Sequence, residues 1–158
     1  MNYCGIDVAM KSSYLYITDG QGRIRGKGEL PTTAGDFRRA LTRFVPEGLK
    51  VAIEAGNQTA WIHDLLVDMG AEVIVVNPAK VRLIAESRRK TDKIDAKILC
   101  ELLRMDGLPT PVHVPPRETR ELRGLLVARR QLVTARTKLC NVVRGMLRQE
   151  GLFCRPVG

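Results

Sequence analysis

Cysteine and histidine are scarce. Cys4, Cys100, Cys140 and Cys154 form no Cys-x-x-Cys pair, and His63 and His113 stand far from them in the chain. Structural zinc modules draw on closely spaced ligands of these types, so a zinc site is not expected. Three of the four cysteines fall inside apolar patterns, where they read as small buried hydrophobes of a reducing compartment. No apolar run approaches the ~20 residues that a helix needs to cross a bilayer. The opening MNYCGIDVAM has neither the basic nor the apolar region of a secretory signal. A soluble cytoplasmic chain with no membrane contact is the expectation. The sequence also has no internal repeat, no low-complexity tract and no glycine-rich phosphate loop after its first apolar run.

Acidic residues are outnumbered. Seventeen Asp and Glu face 26 Lys and Arg, for a formal net charge of +9. An excess of that size favours partners with negative fields, nucleic acid first. The excess is uneven: Pro116 to Glu150 holds nine Lys or Arg against three Glu, so about +6 of it lies in that stretch. With 44% apolar residues in 158, the chain can bury a real core in one ordinary domain and carry an appendage.

YCGIDVA is a short apolar run that ends on an acid, and SYLYIT and RIRGKGEL flank the turn DGQG. Asp19-Gly20 between two such runs predicts a hairpin, so the opening reads as three strands over 2–8, 13–19 and 22–30. Ala34, Phe37, Ala40, Leu41 and Phe44 have helical spacing, with Thr32 or Thr33 as the N-cap. LKVAIEA is a buried strand ending on Glu54. QTAWIHDLLVDMG is a helix with Trp61, Ile62, Leu65, Leu66 and Met69 on one side and Gly70 as its stop. AEVIVVN has the continuous β-branched run of a strand buried on both faces. PAKVRLIAESRRK reads as a short helix entering a basic loop, and Thr91 caps a helix from Asp92 to Met105. LPTPVHVPP has four prolines in nine residues and reads as a linker.

The stretch from Arg117 onward is one long helix by pattern. Leu125, Leu132, Leu139 and Met146 recur every seven residues, and Leu126, Val133, Cys140 and Leu147 follow one position later. Arg129 and Arg136 interrupt this seam. A broad apolar stripe on a basic helix needs a partner surface, as in a helical hairpin or coiled coil. The expected architecture is a mixed α/β sheet with flanking helices over 1–107, a linker over 108–116 and a basic helical arm over 117–158.

Acids close two of the strands. Asp7 ends the first and Glu54 the fourth, and strand ends are where ligand chemistry collects in α/β sheets. KTDKIDAKIL places Asp92 and Asp95 three apart at a helix start, on roughly one face. Either acid alone is explained by the helix N-terminus or by solvent. Four carboxylates from three separate elements instead suit a pair of Mg²⁺ or Mn²⁺ ions, which need several hard oxygen ligands converging on one point. Lys90, Lys93 and Lys97 then read as phosphate contacts beside the acids, as do Arg88 and Arg89 just before them. Asn57 and Gln58 follow Glu54, where they could touch substrate, but a cap or turn role is the expectation, and Trp61 reads as a partly buried core residue.

GIDVA on the first strand, the strand ending IEA, and the basic loop leading to KTDKIDA resemble a RuvC-type, ribonuclease H-like nuclease domain. More closely, the chain resembles the N-terminal part of the DEDD transposases of bacterial insertion sequences. That family's four acids match Asp7, Glu54, Asp92 and Asp95, and VVNPAKVR and RELRGLLVARRQLVTARTKLCNVV match as well. The resemblance covers nearly the whole chain. It departs at Met10, where a lysine is commoner, and at GNQTAW after the glutamate. It implies DNA strand-transfer chemistry with two divalent metal ions in a bacterial, nucleoid-associated protein. It further implies a serine nucleophile on a C-terminal domain lying beyond CRPVG, a structured guide RNA as partner, and self-association through the arm. Arg129, Arg130 and Arg136 would be the arm's nucleic-acid contacts.

Two other readings remain at this point. A non-catalytic DNA- or RNA-binding and assembly module would keep the basic arm and use the acids only for folding. A Holliday-junction-type nuclease would share the acids. An actin-like kinase also begins with a GIDxG-like strand, but needs the phosphate loops that are missing here.

Overall fold

The computed structural model describes residues 1–84 and 92–153; of Ile84, Asp92, Lys93 and Ile94 it describes the backbone alone. The chain divides into two units, Met1–Val114 and Pro115–Gly158.

In the first unit, β1 (Asn2–Val8), β2 (Ser12–Asp19) and β3 (Ile24–Pro31) form the expected meander. β4 (Leu49–Glu54) and β5 (Glu72–Val76) complete a five-stranded sheet in the order β3-β2-β1-β4-β5. β1 pairs antiparallel with β2, Asp7 standing opposite Tyr14, and parallel with β4, Ile6 standing beside Ile53. β4 and β5 are parallel, with Glu54 beside Val76.

Alternation along the strands sorts the side chains onto two faces. Cys4, Ile6, Leu15, Ile17, Val51, Ile53 and Val75 bury themselves under α1 (Ala34–Leu41) and α2 (Thr59–Asp68). Tyr3, Gly5, Asp7, Ala52, Glu54 and Val76 lie on the other face, which carries α3 (Pro78–Ile84) and α4 (Asp92–Arg104). Thr33 caps α1 by accepting from the Asp36 amide, and the turn that follows, Thr42–Glu47, is a 3-10 helix rather than more α-helix. Pro46 lies inside it and has no N–H to continue an α ladder.

β5 departs from the reading as a strand buried on both faces. It is an edge strand: Val75 and Val76 are buried, Val73 and Ile74 are half-buried and Glu72 is exposed. Part of its free edge is occupied by the proline-rich stretch, where the Val112 amide donates to the Val75 carbonyl at 2.7 Å.

The hairpin between β2 and β3 is organised by Asp19. Its Oδ1 accepts from the amides of Gln21 and Arg23, and Oδ2 accepts from Arg23 Nε at 2.7 Å. The left-handed residue of this turn is Gly22, at φ 80°. Burial works against the Asp19 charge, but the Arg23 side chain and these amides outweigh it and hold the carboxyl below its ordinary pKa. Glu47 is lowered too, by the Asn2 amide and then by Arg25. Both groups therefore bind protons more readily unfolded than folded. Their contribution to stability is full above the ordinary carboxylate pKa and is lost as the pH falls below about 4. Thermal midpoints should be flat from neutral pH down to that point and then drop. Asp19→Asn should lower the neutral-pH midpoint and make the acid limb shallower.

In the second unit, α5 (Arg117–Gln149) is a single 33-residue helix, as its pattern predicts. None of its residues is buried, and Leu125, Leu132, Leu139 and Met146 are 64–71% exposed. Cys4 and Cys100 are buried as expected, whereas Cys140 is exposed on α5. Cys154 lies outside the described residues.

Candidate nucleic-acid cleft and acid site

The position of α4 depends on one missing side chain. A Cβ built on Gly5 would overlap the Ala96 carbonyl oxygen and lie 2.5 Å from the Cys100 amide nitrogen. Glycine at this point of β1 thus lets the α4 backbone rest directly on the sheet. Ala96, Leu99, Cys100 and Leu103 bury the helix's inner stripe, and the Cys100 thiol donates to the Tyr3 carbonyl at 3.2 Å. At the far end of α4, the Arg104 guanidinium comes to the Gly22 turn, 3.4 Å from where a Cβ would stand. α4 therefore runs antiparallel to β1. Its first turn, Asp92 to Asp95, falls at the end of the sheet where β1 and β4 finish, beside Asp7 and Glu54.

Asp7 and Glu54 line one open cleft of about 270 Å³, together with Val8, Ala9, Met10 and the β4–α2 loop from Ala55 to Thr59. Both walls are tied down. On one, the Thr32 hydroxyl donates to the Ala9 carbonyl at 2.9 Å, and the Thr32 amide donates to the Lys11 carbonyl. On the other, the Thr59 hydroxyl accepts from the Gly56 amide at 2.6 Å and donates to the Glu54 carbonyl at 2.9 Å. The Ala55 amide extends the ladder to the Val76 carbonyl. The two carboxylates thus sit at the ends of adjacent strands whose backbones are fixed beyond their last residues.

Asp95 is half-buried and shares a stripe with the buried Leu99, so it belongs to the sheet-facing side of α4. It is not among the residues that line the cleft itself. Among the described residues, no three of His, Cys, Asp and Glu come close enough to hold a metal ion. The Asp92 and Lys93 side chains lie outside the described residues, as do Arg88, Arg89 and Lys90. Lys97 is exposed and pairs with Glu101 at 3.6 Å along the helix surface. Arg129, Arg130 and Arg136 are exposed on α5.

The β4–α2 loop holds what residue types alone did not reveal. Gln58 occupies the N-cap of α2, but its side chain makes no cap bond. Its Oε1 instead accepts from Trp61 Nε1 at 2.5 Å. Trp61 is half-buried and packs edge-on against Phe37, ring centroids 6.0 Å apart. The three-residue spacing of Gln58 and Trp61 at a helix start was the available signal.

A family model described as a DEDD transposase of the IS110 type matches residues 4–151. A Pseudomonas aeruginosa protein named "Probable family 20 transposase" is 34% identical over 158 residues, covering 98% of this chain and 44% of that protein. A Sinorhizobium fredii protein named "Putative transposase y4qE" is 31% identical over 156 residues, covering 96% of this chain and 40% of its own length. The chain thus spans less than half the length of these relatives. Among solved structures, Thermus thermophilus RuvC in complex with a Holliday junction substrate superposes with a TM-score of 0.51 at 16% identity. It covers 71% of this chain and 99% of its own. That likeness gives the fold: a RuvC-like mixed α/β sheet with flanking helices.

Proposed function

The chain belongs to the IS110-type DEDD transposase family, and from that premise we propose that its sheet unit performs metal-dependent chemistry on DNA phosphodiesters during transposition. Asp7, Glu54, Asp92 and Asp95 would hold Mg²⁺ or Mn²⁺, two ions in the full site. The observation that carries this reading is the convergence at one sheet end. Two carboxylates line a single cleft, and the glycine contact at Gly5 brings the first turn of α4 to that same end.

The donor chemistry fits hard divalent cations, since every candidate ligand is a carboxylate oxygen. Bound there, the ions would supply electrostatic stabilisation of the attacking and leaving oxygens at phosphorus. The chain's own residues do the rest. Adjacent parallel strands set the spacing of Asp7 and Glu54, and Thr59 fixes the backbone beyond Glu54. α4 adds Asp95 from a third element. Lys90, Lys93 and Lys97, with Arg88 and Arg89, belong to this reading as phosphate contacts near the acids.

The whole protein's activity extends the same proposal. A serine on a further domain would act as nucleophile, a structured RNA would direct the target, and two arms would associate through the α5 stripe. The exposure of Leu125, Leu132, Leu139 and Met146 supports association. The basic residues of α5 support contact with nucleic acid. Replacing Arg129, Arg130 and Arg136 together by alanine should reduce the slope of log affinity against log salt by about 2.7 if each meets one phosphate of a DNA duplex. Fluorescence anisotropy over a salt series measures it. An unchanged slope would remove these three from the interface.

Iron-directed backbone cleavage tests the convergence. With Fe²⁺ and ascorbate in place of Mg²⁺, hydroxyl radicals should cut the chain near 7, near 54 and near 92–95. Mg²⁺ should suppress all three cuts. Cleavage at only one segment, or none, would refute a shared site.

A further inference from the structure

We propose that Gln58 is a substrate-contacting residue of the cleft, its side-chain amide nitrogen donating to a non-bridging phosphate oxygen while Trp61 holds it in that orientation. The inference rests on the acid-cleft reading and adds to it a residue outside the four carboxylates.

Gln58 lines the cleft that Asp7 and Glu54 line. An amide normally leaves its own direction open, because oxygen and nitrogen have the same shape. Here chemistry decides it. An indole N–H only donates, so the atom that meets Trp61 Nε1 must be the amide oxygen. Nε2 and its two N–H groups are then the end turned away from Trp61. The anchor is firm, since Trp61 packs against the core and stands edge-on to Phe37, which is fully buried. The Gln58 side chain is free for this role because it does not cap α2.

The site has a need for such a donor. Two carboxylates in one cleft repel a phosphate, and the Met10 side chain on the opposite wall, 83% exposed, offers apolar surface and no donor. A neutral amide supplies hydrogen bonds to phosphate oxygens without adding a carboxylate. A pre-oriented one loses little rotamer freedom on binding.

The test uses the full chain labelled with ¹⁵N, and a short DNA duplex with Mg²⁺ as the probe. The Gln58 side-chain amide signal is assigned by its loss in Gln58→Ala. The backbone amides of Ala55 and Gly56 report cleft occupancy independently of the arm. DNA should shift the Gln58 amide signal saturably. Gln58→Ala should raise the cleft's dissociation constant about tenfold, and Gln58→Glu, which still accepts from Trp61, by more. Trp61→Phe keeps the ring packing, and should cost about threefold alone but nothing further in the Gln58→Ala background. A Gln58 signal unmoved while Gly56 responds would overturn the proposal and leave the acid site standing. Additive losses from Trp61→Phe and Gln58→Ala would overturn the orienting role of Trp61. A separate Mn²⁺ titration distinguishes the deeper failure: if the amides of Asp7 and Glu54 do not broaden, the acid-cleft reading falls and this proposal with it.

Discussion

Gly5→Val should be the most damaging single substitution in the sheet unit, costing about 3 kcal/mol or more. The new side chain has no flexible neighbour to displace. It meets the Ala96 carbonyl oxygen and the Cys100 amide, both part of the α4 backbone. Relief therefore requires moving the whole helix. That movement would open the contacts of Leu99 and Leu103 with Ala52 and Val76, and lengthen the bond from Cys100 to the Tyr3 carbonyl. Against a total stability of roughly 5–15 kcal/mol, this is a large fraction. The thermal midpoint should fall by roughly 12 °C or more. Gly28→Ala is the matched control, because nothing lies within 4 Å of its Cβ position. It should be neutral or slightly stabilising, since alanine restricts the unfolded chain more than glycine does. Equal midpoints for the two variants, read by circular dichroism, would show that α4 does not rest on Gly5.

Asp7→Asn should abolish the stabilisation that Mn²⁺ confers. A ligand that binds only the folded state stabilises it by about 2.7 kcal/mol at a hundred times its dissociation constant. The wild-type midpoint should therefore climb steadily with Mn²⁺, and that of Asp7→Asn should stay level. A parallel climb in both proteins would place the metal elsewhere. A sharp loss of metal-free stability in Asp7→Asn would mean that this carboxylate serves the fold instead.

Local pattern made the elements readable before the structure. The acid-ended strands, the DG hairpin and the helix starting at Asp92 all lie where periodicity and turn chemistry put them. What escaped were relations between elements. Gly5 reads as one more residue of a strand until α4 is seen resting on it. The β-branched run of β5 suggested a central strand, but strand order places it at the edge. The 3-10 turn through Phe44 has the same apolar spacing as an α-helix over so short a span, and Pro46 was the clue to the difference. Cys140 follows an apolar pattern and is nevertheless exposed, because periodicity defines a stripe and not what covers it. In the cleft, Asp7 and Glu54 were legible because acids rarely close buried strands without a reason. Gln58 was legible only as one of two residues beside Glu54 that could touch substrate, because its orientation depends on which atom of its amide faces Trp61.

Calorimetric titration of Mn²⁺ into the chain, beside Asp7→Asn and Asp95→Asn, is the decisive measurement. These carboxylates lie on a strand and on a helix far apart in sequence, and only a shared site couples them. Saturable binding to the wild type and its loss in both variants is the expected result. Binding that survives in either variant, or that is absent from the wild type even with a short DNA duplex present, would leave the chain a nucleic-acid-binding and assembly module with acids that serve the fold.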